Sequence, residues 1–397
     1  MLTSRETELY ILGGARTPFG TYGGSLKDVD AVTLGAIAAK GALERAGVPA
    51  EAIDFSVVGG VLPSAPDFAY LARHVALNAG LPVEADSLTV NRLCGSGLQA
   101  VVSAAQSLIL GDGEVALVGG SENMSQAPYA LRNSRWGIKS GPPQLDDTLQ
   151  STLTDLGCGL GMGMTAENLA REYAISREEQ DVFSALSHSR AHQSREAGVF
   201  KEEIVPVPIT VRGKTVLVDT DEHIRPDTTP DTLSRLKPVF LENGTVTAGN
   251  ASGINDGAAM LVVATGDFVR THGLKPWARI VSYAVAGVDP KIMGIGPVPA
   301  SQKALERAGL DIEEVERVEI NEAFAAQYLS VEKALGLNRE RTNVHGGAIA
   351  LGHPVGASGA RLLLTLIHEL RRSAVHYGLA SLCIGGGQGI AMVIETV

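Results

Sequence analysis

Four short segments hold residue types that could do chemistry, and three of them are set among glycines. In Asn91-Arg92-Leu93-Cys94-Gly95-Ser96-Gly97 a cysteine stands between a strand-like and a helix-like stretch. Unpaired N–H groups and the helix dipole favour an anion there, so a thiolate would be stabilised and its pKa lowered. Cys94 is then either a nucleophile or a small buried core residue. In Ser381-Leu382-Cys383-Ile384-Gly385-Gly386-Gly387 a second cysteine precedes three glycines whose N–H groups no side chain shields. That motif is either an oxyanion hole or a tight turn over a buried thiol. Gly352-His353-Pro354-Val355-Gly356-Ala357-Ser358-Gly359 puts an imidazole in a turn ahead of a helix. There it could accept a thiol proton or donate to a developing oxyanion, or serve only structure. Asn321 follows the strand-like Val318-Glu319-Ile320 and could position a water or cap a helix.

The elements that must position these residues are repeated. Ala42-Leu43-Glu44-Arg45-Ala46-Gly47 recurs letter for letter as Ala304 to Gly309, and Ser96-Gly97 recurs at the same offset as Ser358-Gly359. A shared offset at two separated places implies an internal duplication. Each half reads helix, strand, helix, strand. Val32 to Ala46 has helical apolar spacing and stops at Gly47, while Phe55 to Gly60 and Leu88 to Val90 read as short strands. Leu98, Val101, Val102, Ala105, Leu108 and Ile109 fall on one helical face. Strands alternating with helices predict an α/β fold with two similar sheets. Between the halves, roughly Ser125 to Ala251 has no counterpart. Its Pro142-Pro143, its charged Ser176-to-Phe200 helix and its Pro206-Val207-Pro208 turn read as a large insertion.

Bulk properties exclude several classes. A chain of 397 residues that is 45% hydrophobic can bury a large core and suggests two or three domains. The net charge of −11 argues against broad binding of nucleic acid or anionic membrane, so a phosphate ligand must meet a local basic patch. The three cysteines, Cys94, Cys158 and Cys383, suggest neither a metal site nor a disulfide framework. Met1 to Tyr10 carries Arg5, Glu6 and Glu8 and reads as no signal peptide, and no uninterrupted apolar run reaches membrane-span length. A cytoplasmic address is the expectation.

Together the four segments resemble the thiolase family, along essentially the whole chain. The match includes Ala15-Arg16-Thr17-Pro18-Phe19-Gly20 and the stretch from Thr247 to Ala258. The resemblance implies a five-layered αβαβα fold built from two pseudo-symmetric halves plus an inserted loop domain. Its N-terminal half would span residues 1–124 and 252–274, the insertion 125–251 and the C-terminal half 275–397. It further implies reversible Claisen condensation of two acetyl-CoA to acetoacetyl-CoA, or thiolysis of 3-ketoacyl-CoA. Cys94 would carry the acyl group, His353 would activate it and Cys383 would move the α-proton. One oxyanion hole would be His353 with a water on Asn321, the other the N–H groups of Cys94 and Gly385.

The same resemblance places coenzyme A against the insertion. Arg225 would lie near the nucleotide, Ser252 on the pantetheine arm, and Met162, Ala248, Ala323 and Phe324 along the tunnel, with Met293 near the acyl pocket. No tightly bound cofactor is implied, only coenzyme A thioesters as substrates, with no metal. The partners expected are acyl-CoA molecules and further copies of the chain in a homotetramer, a dimer of dimers joined by the Ser125-to-Gln150 loop. Two positions depart from the acetoacetyl-forming members. Gly161 stands where many carry histidine, which loses a pocket wall, and His345 stands in Asn343-Val344-His345-Gly346-Gly347 where asparagine is usual. The second places an extra imidazole close to the His353 loop, where it could alter its pKa or be a satisfied structural histidine. The rivals are a ketoacyl synthase, which needs no second cysteine, a catalytically silent lipid carrier, which would lack these residues, and a nicotinamide-binding dehydrogenase. For the last, no glycine fingerprint follows a strand with an acidic residue at the right distance.

Overall fold

Along Asn255–Thr265 every residue is buried, because this strand has an apolar layer on both faces. Ala259, Leu261 and Val263 face one core, while Ala258, Met260, Val262 and Ala264 face another, the period of two that a strand imposes. The computed structural model describes residues 7–397; the opening Met1–Glu6, included in the search for a leader, lies outside the described residues. Its main strands are β1 (Leu9–Arg16), β2 (Phe55–Gly59), β3 (Asp86–Val90), β4 (Val115–Asn123), β5 (Asn255–Thr265), β6 (Ala278–Gly287), β7 (Arg317–Ile320), β8 (Tyr377–Ile384) and β9 (Gln388–Thr396). The helices that frame the site are α1 (Ala31–Ala46), α2 (Leu71–Ala79), α3 (Ser96–Leu110), α4 (Met162–Glu172), α5 (Arg177–Glu196), α6 (Pro297–Ala308), α7 (Ala325–Leu335) and α8 (Ser358–Ser373).

The duplication is visible in the pairing. In the first half β5 lies antiparallel between β1 and β4, and β4 pairs in parallel with β2. In the second, β9 lies antiparallel between β6 and β8, and β8 pairs in parallel with β7. The first half adds β3 beside β2, whereas the second has only the isolated parallel bridge Val318 to Thr342 at the matching place. The two expected sheets are joined into one continuous order, β7-β8-β9-β6-β1-β5-β4-β2-β3, through a two-residue contact of Tyr10 and Ile11 with Arg279 and Ala278.

Five layers follow from three cores. α1 and α2 cover the outer face of the first half, and α6 and α7 that of the second. Between the halves α3 and α8 fill a central layer that both inner sheet faces bury. That placement explains why Leu93–Leu110 is the one described helical segment apolar enough, by length and composition, to cross a membrane. Its Leu98, Val101, Val102, Ala105 and Leu108 are buried in that layer, while Gln99, Ser103, Gln106 and Leu110 lie on a face left partly open.

In the insertion, the expected charged helix is α5, started by a capping box between Ser176 and Glu179, and a short 3-10 turn at Val199–Glu202 completes the stretch. Pro206-Val207-Pro208, read as a turn, instead opens an edge hairpin of Val207–Val211 with Lys214–Val218. Proline is tolerated at the start of an edge strand, where no ladder bond needs its missing N–H.

Candidate active site

β3 ends at Val90, and the chain then makes a tight turn into α3. Leu93 is held at φ 46°, its N–H donating to Asn91 Oδ1 at 2.9 Å. Ser96 Oγ accepts from Arg92 N at 2.9 Å and donates to the Leu93 carbonyl at 2.6 Å. This braced elbow sets Cys94 just ahead of the helix, with the backbone N–H groups of Gly385 and of Cys94 itself reaching the sulfur. The expected lowering of the Cys94 pKa does not occur. Burial pushes the thiol up to about 11, and the two N–H groups offset only part of that. The resting sulfur is therefore protonated and needs a base.

His353 supplies a neutral imidazole. Its backbone N–H donates to Asn255 Oδ1 at 2.9 Å, and the preceding Gly352, at φ 103°, has no room for a side chain against Asn255. Nδ1 lies 2.5 Å from Ser358 Oγ, and that hydroxyl lies 2.9 Å from the Pro354 carbonyl, to which it donates. The network thus puts the proton on Nδ1 and leaves the Nε2 lone pair free. Nε2 lies 3.4 Å from Asn321 Nδ2. Burial, and then the nearby Arg361 guanidinium, hold the imidazole pKa down to about 3. His345, which could have altered it or been structural, is tied to Ser194 Oγ at 2.8 Å and to Glu369 Oε2 at 2.8 Å, as a satisfied structural histidine.

Asn321 is fully buried at the end of β7, and its Oδ1 has no hydrogen-bond partner. It is not a helix cap, since α7 starts at Ala325 with Phe324 in the cap position. A buried amide oxygen left open beside an imidazole nitrogen suits a polar ligand or a bridging water. Cys383, next to last in β8, is fully buried and packed with Met293 and Ala323, and with Met162 and Phe324 against that cluster. Burial and the adjacent Cys94 push its thiol far up. Gly385 to Gly387 then turn the chain into β9, with Gly386 and Gly387 at φ 81° and 80°.

One pocket of about 470 Å³ gathers most of the expected residues. Cys94, His353, Met162, Ala248, Ser252, Met293, Ala323 and Phe324 all line it. Cys383 and Asn321 stand behind its wall, and Gly385 faces an adjoining recess that shares Met162. Arg225 does not reach this pocket; it lines a neighbouring cavity with His188 and His223, which shares Ala248 and Ala251 with the first. Sequence reasoning missed the insertion's Val239 and Phe240, which wall the pocket, and Ser358, which orients His353. Ser358 was legible only as the start of a helix. Gly161 does leave space: a Cβ there would approach nothing closer than the Leu153 carbonyl at 3.9 Å.

Two duplicated α/β halves, joined so that a cysteine loop from one and histidine and cysteine loops from the other meet at one pocket, define a fold class built for reactions at a buried thiol. The chain belongs to the thiolase family: the models for the thiolase N-terminal and C-terminal domains match residues 9–267 and 274–396. It is 52% identical to the mitochondrial 3-ketoacyl-CoA thiolase of Mus musculus over 388 residues, 98% of either chain. It is 48% identical to the acetyl-CoA acetyltransferase of Syntrophomonas wolfei over 395 residues, 98% of this chain and 99% of that one. The crystal structure of human mitochondrial 3-ketoacyl-CoA thiolase in complex with CoA superimposes with a TM-score of 0.96 at 49% identity, covering 100% of both chains.

Proposed function

We propose that the protein is an acyl-CoA thiolase that runs reversible Claisen chemistry through an acyl group on Cys94. The observation that carries this reading is the convergence of Cys94 and His353, from loops of both halves, on one apolar pocket, with Cys383 buried behind its wall against Met293 and Ala323. In condensation His353 Nε2 takes the Cys94 proton and Sγ attacks the thioester carbonyl of the first acetyl-CoA. Cys383 gives its proton to the leaving CoA thiolate, while His353 keeps the Cys94 proton on Nε2. The Cys383 thiolate then removes the α-proton of the second acetyl-CoA, and the carbanion attacks the acetyl-Cys94 carbonyl. Acetoacetyl-CoA forms, and the expelled Cys94 thiolate takes its proton back from His353. Thiolysis is the reverse. The Nε2–H that His353 gains from Cys94 and a water held by Asn321 suit the enolate oxygen, and the N–H groups of Cys94 and Gly385 the thioester oxygen; losing one such donor costs about 3 kcal/mol of transition-state stabilisation.

Coenzyme A fits with its pantetheine arm along Ser252, Ala248 and Phe324 and its nucleotide towards Arg225, the local cation an acidic protein needs. A second reading, a broad-chain 3-ketoacyl-CoA thiolase, is favoured by the space beside Gly161. The test is thiolysis of acetoacetyl-CoA and of longer 3-ketoacyl-CoA substrates by wild type, Cys94→Ala and Cys383→Ala. Cleavage that requires both cysteines supports the proposal, and the chain-length profile separates the two readings. Absence of cleavage by folded wild type would overturn it.

A further inference from the structure

Glu122 lies near the end of β4, fully buried, and takes no part in the chemistry above. Its carboxylate is held by backbone N–H groups: Leu62 donates to Oε1 at 3.1 Å, while Val61 and Gly356 donate to Oε2 at 3.1 and 3.0 Å. The donors come from two loops far apart in sequence. Val61 and Leu62 follow β2, and Gly356 sits between His353 and its orienting partner Ser358. The fit is close, since a Cβ on Gly356 would stand 2.7 Å from Glu122 Oε2 and one on Gly120 only 1.9 Å from the Gly356 carbonyl. Val61, Leu62, Val355 and Met124 form the apolar cluster against which Leu93 and Cys94 pack. One carboxylate therefore fastens, from behind, the backbone of both loops that wall the nucleophile.

A carboxylate is expensive to bury without a cation. Burial, and to a lesser extent Asp256 facing it from β5, raise Glu122 to about 8 against the pull of its three N–H donors. The same charge reaches the sulfur of Cys94 and disfavours its thiolate. The other titratable groups around this centre are Cys383 beside Cys94, and Arg361 on α8 behind His353.

We propose that Glu122 is a positioning residue for the thiolase reaction: it clamps the Val61-Leu62 and His353-to-Ser358 loops so that the imidazole faces Cys94. The inference rests on the thiolase reading. It is tested by comparing wild type, Glu122→Gln and Glu122→Asp in kcat and KM for acetoacetyl-CoA thiolysis. Glu122→Gln replaces one acceptor oxygen by an NH2 that cannot take the backbone N–H bonds, and is expected to lower kcat by about 10- to 100-fold with KM little changed, the loss that a displacement of about 1 Å produces. Glu122→Asp keeps both acceptor oxygens on a shorter arm, so kcat falls there as well while KM stays near that of wild type. Wild-type kcat in folded Glu122→Asp overturns the clamp, and a loss carried by KM alone overturns the positioning role. If Glu122→Gln does not fold, the Glu122→Asp result alone decides the clamp. Failure of the thiolase reading would show separately, as absence of thiolysis by wild type.

Discussion

The orientation of His353 depends on a single hydroxyl. Ser358 Oγ gives its proton to the Pro354 carbonyl and so can only accept from Nδ1, which leaves Nε2 as the base. Ser358→Ala removes that acceptor and frees the ring to take the other tautomer. We expect kcat for thiolysis to fall by about 10- to 100-fold with KM little changed, the equivalent of a hydrogen bond worth about 1.5–3 kcal/mol. Steady-state kinetics would check it, and an unchanged kcat would contradict the assigned tautomer. Cys94, His353, Cys383 and Asn321 could be singled out in the sequence because each stands in a short motif whose neighbours fix a turn. The charges that tune them could not. Glu122 meets Gly356, and Arg361 faces His353, only because β4 and α8 pack beside the same loop. For Cys94 the dipole of α3 was legible, yet burial outweighs it and reverses the direction of its pKa shift.

α3 and α8, the duplicated central helices, begin in contact. A Cβ on Gly97 would lie 2.7 Å from Ala360 N, and one on Gly359 would lie 2.4 Å from Leu98 N. The repeated Ser-Gly pair, seen in the sequence as evidence of duplication, is thus also the reason the Cys94 and His353 loops stand side by side. Gly359→Ala should push the helices apart and cost about 1–3 kcal/mol, seen as a lower urea midpoint, together with reduced turnover. Farther along α8, Glu369 ties that helix to β7 through Arg317 and to the 345 turn through His345. Burial raises its pKa, but the hydrogen bonds from His345, Ser373 and Arg317 outweigh burial and hold it at about 2. A carboxylate depressed in the folded state stabilises above its unfolded pKa of about 4.3 and loses that contribution as pH falls towards 2. The stability difference between wild type and Glu369→Gln, measured by urea unfolding, should therefore be constant at neutral pH and shrink below about pH 4.3. Element positions were legible from periodicity. The joining of the sheets at Ile11 and Ala278 was not, because a two-residue pairing leaves no pattern in either strand.

For the whole molecule, the described surface carries apolar residues that a lone copy would leave wet. On the hairpin formed by Tyr129–Leu131 and Leu145–Asp147 and the loop between them, Tyr129 is 66% and Trp136 87% exposed, with Ile138 and Leu145 also open. Separately, β3 forms the free edge of the first half and exposes Leu88. An open strand edge invites pairing with a second copy, and an exposed aromatic hairpin invites burial against another surface. Two distinct sticky regions on one chain would let one join a dimer and the other join two dimers, the closed arrangement a homotetramer would need. Size-exclusion chromatography with light scattering should return four copies for wild type. Replacing Tyr129 and Trp136 together by serine should return two copies with the thiolysis rate per site retained, because the hairpin contributes none of the pocket residues. A wild-type monomer would contradict both contacts. A tetramer that survives the double substitution would mean that another surface joins the dimers.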